Sequence, residues 1–175
     1  PDILVTGDGR HMAVRGDDGR MMLLRAGAGE YVRDVLGSAA GAGSHTGDAD
    51  AESMPALADY DRARCNPEIC AIDMPGGGRR WRILATRSAQ NVPWRALVND
   101  CASADIVVSD RRLPYSCNPR WLKLDRQNLT RTGGVAIYLR SANVTSVKTP
   151  GDTHPWIVPP ADYTRRTRTA YPGAA

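Results

Sequence analysis

Apolar residues enter this chain in short runs. In "PDILVTGDGRHMAVRGDDGRMMLLR" the runs at 3–5, 12–14 and 21–24 are separated by Gly7-Asp8-Gly9 and Asp17-Asp18-Gly19. Short runs bounded by Asp-Gly turn signals predict three strands in an antiparallel meander. In "EYVRDVLGSAA" the spacing changes, with apolar residues at 31, 32, 35 and 36 behind Glu30. That is helical spacing with an acidic first turn. Residues 41–53 are small, polar and acidic, which predicts a flexible loop.

A second block follows. "CAIDMPGGGRRWRILATR" predicts a hairpin turning at 76–78, and "VPWRALVNDCASA" a helix opening at Pro93 with positions 94, 97, 98 and 101 on one face. "ADIVVSD" predicts a buried strand. "DRQNLTRTGG" predicts a short helix with Asp125 as N-cap and Gly133 as C-cap. "GVAIYLR" and "NVTSVK" predict two last strands, and 149–175 a Pro- and Arg-containing tail. Strand, helix, strand, helix, strand calls for a sheet covered by helices, an α/β fold. At 175 residues and 42% hydrophobic, one domain over 1–148 is expected.

Composition adds three constraints. Nothing approaches 18 consecutive apolar residues, so no membrane span is predicted. The chain opens at Pro1 without a Met or a signal-peptide pattern, as a fragment or processed product would. The net charge of +4 is unevenly placed: residues 1–63 hold six Arg and eleven acids, whereas 64–175 hold 17 basic and eight acidic residues. A half-chain at +9 suits a polyanion such as DNA or an anionic membrane surface. Only two of the 23 basic residues are Lys, so the codon usage of a GC-rich genome accounts for the arginines equally well.

The four cysteines fit no zinc spacing. Two local disulfides, Cys65–Cys70 and Cys101–Cys117, are the simplest assignment, and they favour an oxidising compartment. Four buried thiols in a reducing one is the alternative. The histidines, His11, His45 and His154, are far apart, and neither HExxH nor GxSxG occurs. Asp8, Asp105, Asp110 and Asp125 are the acids that could hold a divalent ion for phosphodiester cleavage. Asp8 also fits a turn, Asp105 a strand opening and Asp125 a helix cap. Asp110 follows a core strand, where α/β sites lie, but stands beside two arginines that suit an ion pair. Phosphate contact is offered by Arg79, Arg80, Arg82, Arg111, Arg112, Arg120 and Lys123, with Trp81, Tyr115 and Trp121 among them. Strand alternation puts Arg80 and Arg82 on one face and Trp81 on the other, toward the core, which weakens a stacking role for Trp81.

"PDILVTGDGRHMAVR", "ARCNPEIC", "GGRRWRILATRS", "CASADIVVSDRRLP", "CNPRWLKLDR", "RTGGVAIYL" and "GDTHPW" resemble, in this order, the C-terminal region of ComEC proteins of alphaproteobacteria. These are inner-membrane competence channels that import single-stranded DNA. The resemblance implies a metallo-β-lactamase-like domain, which in that family is associated with degrading the non-transported strand. The HxHxDH loop has no counterpart here, and the later His-His-Gly-Ser position reads Ser109-Asp110-Arg111-Arg112. The resemblance therefore implies a degenerate relative without metal or cofactor, and the cysteine pairs favour the periplasmic side. It would guide DNA or act as a scaffold, with the channel portion of its parent chain and other competence proteins as partners. The alternative is a nuclease with a divalent-metal site remodelled around Asp8, Asp105 and Asp110. The domain would then degrade the strand that is not transported.

Overall fold

Successive residues of a strand face opposite sides of its sheet, and in the central strands of this protein both sides are apolar. In β1 (Ile3–Val5), Ile3 and Val5 enter one cluster while Leu4 enters another. Two-sided strands need cover on both faces, and the architecture supplies it. In the computed structural model, residues 1–41, 54–88, 92–149 and 151–152 are described. The loop expected over 41–53 lies outside them save its first residue, as do most of the tail, His45 and His154.

The elements are β1, β2 (Met12–Arg15), β3 (Met21–Leu23), α1 (Glu30–Ala40), β4 (Ala63–Cys65), β5 (Ile69–Gly76) and β6 (Arg79–Thr86). After these come α2 (Trp94–Ser103), β7 (Ile106–Val108), β8 (Leu122–Leu124), α3 (Arg126–Thr132), β9 (Val135–Tyr138) and β10 (Asn143–Ser146). One sheet, ordered β10-β9-β1-β2-β3, is antiparallel throughout. The other, β4-β5-β6-β7-β8, is antiparallel as far as β6 and parallel from β6 to β8.

The sheets close on each other through Ile3, Met12, Val14 and Ile137 from the first and Ile72, Trp81, Ile83, Ile106 and Val108 from the second. Helix α1 covers the outer face of the first sheet with Leu36 and Ala40 against Leu4, Ala13 and Leu23. Helix α2 covers the outer face of the second with Leu97 and Cys101 against Ile69, Leu84 and Val107. The fold is thus α/β in four layers, helix, sheet, sheet, helix, with Leu129 of α3 reaching the central core.

The meander, the hairpin and the two caps stand where the sequence places them. Asp125 accepts the Asn128 amide at 3.0 Å, and Gly133 closes α3 at φ 67°. Both disulfides are formed: Cys65 faces Cys70 across β4 and β5, and Cys101–Cys117 ties α2 to the segment between β7 and β8. Other expectations are corrected. Strands β9 and β10 join the first sheet, pairing Ile137 with Ile3, and do not extend the second. Pro93 occupies the N-cap of α2, so Trp94 is the first helical residue and stays 57% exposed. Gly9 lies at φ 70°, where a Cβ would come 2.5 Å from the Ser109 carbonyl, so the β1–β2 turn rests directly on the end of β7.

Candidate nucleic-acid interface

Strand β7 carries a different polar group at each end. Asp105 precedes it and Asp110 follows it, five residues apart, which at about 3.3 Å per residue is roughly 16 Å. The two acids therefore belong to different sites.

Asp105 is buried, and every polar group on it is used. Its carboxylate accepts the Arg82 amide at 2.8 Å, the Arg79 guanidinium at 3.3 Å and Arg120 Nε at 3.2 Å. Its own amide donates to the Arg82 carbonyl, and its carbonyl accepts the Trp121 and Leu122 amides. One residue thus fastens β6, β7 and β8 together, and this argues for anchoring over catalysis.

Around that anchor Arg79, Arg80, Asp105, Arg120 and Trp121 line an open cleft of about 400 Å³. The Arg79 guanidinium lies 3.5 Å over the Trp81 ring, a cation–π contact. Trp81 is buried as its position in β6 requires, and its Nε1 donates to the Gly76 carbonyl at 3.0 Å. Trp81 meets Trp121 at 4.7 Å between ring centroids, tilted by 54°. The aromatic surface turned toward the cleft is therefore that of Trp121, not Trp81. Arg120 also donates to the Ser103 carbonyl at 2.7 Å, whereas no ion pair or hydrogen bond holds the Arg80 side chain among the described residues. Three guanidiniums and one carboxylate line the cleft, a net charge of about +2, with Arg79 and Arg120 on Asp105 and Arg80 also acting electrostatically on Asp73.

Four further candidates stand elsewhere. Arg82 points to the outer face of the second sheet and pairs with Asp73 at 3.0 Å, which holds the Asp73 carboxyl below its ordinary range against the opposing effect of burial. Lys123 donates to the Pro114 carbonyl at 2.8 Å and so secures the segment before β8. Arg111 and Arg112 lie past the C-terminal end of β7, with Arg111 Nε 3.8 Å from Asp110. The seven basic residues do not form one surface: Arg79, Arg80 and Arg120 do.

Arg25, which has no distinguishing pattern in the sequence, organises the opposite end. Its guanidinium donates to the carbonyls of Arg10, Thr86 and Arg87 and lies 3.2 Å from Asp110. It clasps the two sheets together and engages the one acid placed where an α/β active site is expected. Asp8 closes its own turn, accepting the Thr6 hydroxyl at 2.6 Å and the Arg10 amide at 3.0 Å. Among the described residues no three His, Cys, Asp or Glu side chains converge in a way that would hold a metal ion.

Three groups, His11, Asp8 and Asp73, couple stability to pH. Burial holds the His11 ring below its ordinary value of 6.5, helped by Arg25 and Arg10 and opposed by Asp8. Burial raises Asp8, but the Thr6 and Arg10 hydrogen bonds and His11 outweigh it, leaving the carboxyl below its ordinary 3.8. Unfolded His11 takes up a proton more readily than folded His11. Its contribution is therefore complete above pH 6.5 and is lost as pH falls from there through the lower folded value. The contributions of Asp8 and Asp73 are complete above pH 3.8 and are lost as pH falls through their depressed folded values. Urea midpoints measured from pH 8 to pH 3 should decline in two stages, and His11→Gln should abolish the upper one. A flat profile down to pH 4.5 in the native protein would contradict this account.

No family model, curated protein or solved structure matches the chain.

Proposed function

We propose that this is a non-catalytic domain that guides single-stranded DNA at the periplasmic face of an uptake channel, built as a degenerate metallo-β-lactamase-like sandwich. The observation that carries the reading is the cleft at the start of β7, which Arg79, Arg80 and Arg120 line together with Asp105 and the half-buried indole of Trp121. Guanidiniums next to an aromatic platform suit a flexible polyanion whose bases are unstacked, and such contacts need no particular sequence. The ordered segments resembling ComEC proteins and the helix-covered pair of sheets support the architecture. Arg25 bound to Asp110 supports the absence of hydrolysis, because the carboxylate best placed for it already has a cationic partner. Two disulfides support an oxidising location.

The test is binding of the chain to a labelled oligothymidylate as a function of salt. Two uncompensated charges meeting phosphates on a single strand give a log–log slope of about −1.4, so affinity should fall roughly 12-fold between 50 and 300 mM salt. Arg80→Ala should reduce the slope by about 0.7 without changing the melting temperature, since that side chain holds nothing in place. Binding indifferent to salt, or cleavage of the oligonucleotide with magnesium, manganese or zinc, would overturn the reading.

A further inference from the structure

We infer that the cleft receives a single nucleotide unit of a strand, its base stacked on Trp121 and the phosphates on either side of it met by Arg80 and Arg120. This rests on the DNA-guiding reading and specifies how one site would carry it out.

Trp121 is immobilised before any ligand arrives. Its amide donates to the Asp105 carbonyl, the amide of its neighbour Arg120 donates to Ala104, and the indole rests against Trp81. A ring fixed on one side by another ring offers its remaining surface without loss of side-chain freedom. Arg120 is fixed as well, between Asp105 and the Ser103 carbonyl, while the exposed Arg80 side chain has no hydrogen bond or ion pair among the described residues and feels only the charge of Asp73. Arg79 is committed twice, to Asp105 and to the face of Trp81, and so supplies charge from a fixed place. A volume of about 400 Å³ lies near the lower end of the range for small-ligand sites and suits one nucleotide. Paired bases in a duplex are stacked on one another and have no free face for an indole. The cleft should therefore prefer single strands for a reason independent of charge.

The experiment compares an oligothymidylate with a strand of equal length carrying abasic residues, whose phosphates are unchanged, on the native chain and on Trp121→Leu and Trp121→Phe. The native chain should bind the base-containing strand roughly tenfold more tightly, with quenching of tryptophan fluorescence. Trp121→Leu should bind both strands equally with an unaltered salt slope, and Trp121→Phe should recover part of the difference. Equal binding of the two strands by the native chain, with salt dependence intact, would overturn the stacking inference and leave the guiding role standing. Failure of the native chain to bind either strand would overturn both.

Discussion

Asp105→Ala should destabilise the domain by about 3 kcal/mol, the low end of the range for breaking a buried ion pair. The low end applies because Arg79 and Arg120 are half exposed and regain water, whereas the Arg82 amide loses its acceptor inside the protein. For a chain of this size that loss lowers the melting temperature by roughly 6–12 °C. Asp105→Asn, which keeps an acceptor for the amide and removes the charge, should fall between. The Asp73–Arg82 pair provides the comparison, since its side chains are 33% and 49% exposed. Removing Asp73 should change stability by no more than about 1 kcal/mol. Urea unfolding followed by circular dichroism distinguishes these outcomes. A loss below 1 kcal/mol for Asp105→Ala would show that β6, β7 and β8 hold together without it.

The second large effect concerns the disulfides. Cys101–Cys117 spans 16 residues and Cys65–Cys70 spans five. Loop-closure entropy assigns about 3 kcal/mol to the first and about 2 kcal/mol to the second. Cys101→Ala combined with Cys117→Ala should therefore lower the melting temperature more than the corresponding change at Cys65 and Cys70. Both cysteines of the longer link are fully buried against Leu97, Val107 and Leu113, so the double variant also leaves a small cavity. Thermal unfolding of the two variants side by side tests the order. The reverse order would mean that the segment between β7 and β8 is held mainly by its hydrogen bonds, among them those of Lys123 to Pro114, Asp125 to Leu113 and Arg126 to Arg111.

What the sequence made legible is local. The Asp-Gly turns, the Asp125 and Gly133 caps and the two cysteine pairs follow from residues within sixteen positions of each other, where backbone chemistry acts directly. The division of strands between two sheets was not legible, because the partner of Ile3 is Ile137 and nothing near either residue records it. Strands β4 and β8 are three residues each, too short to show a period. The site was legible as a list of charges but not as a place. Alternation along β6 correctly buried Trp81 and so argued against stacking. It could not show that Trp121, brought alongside by the parallel pairing of β7 with β8, would present the ring instead. Arg25 escaped notice, and Asp105 reads in the sequence as a metal-ligand candidate or strand opening and not as an anchor, for a similar reason, since each acts by joining strands remote in sequence.

The central claim is that nucleic acid meets the protein at the N-terminal end of β7. Titrating the isotopically labelled chain with an oligothymidylate and following its indole and guanidinium resonances tests it most directly. The account predicts shifts at Trp121, Trp81, Arg79, Arg80 and Arg120, with Arg25 and His11 at the opposite end of β7 unmoved. Shifts confined to His11, Arg25 and Arg111, or no shifts at any strand concentration that saturates the +9 half of the chain, would contradict it.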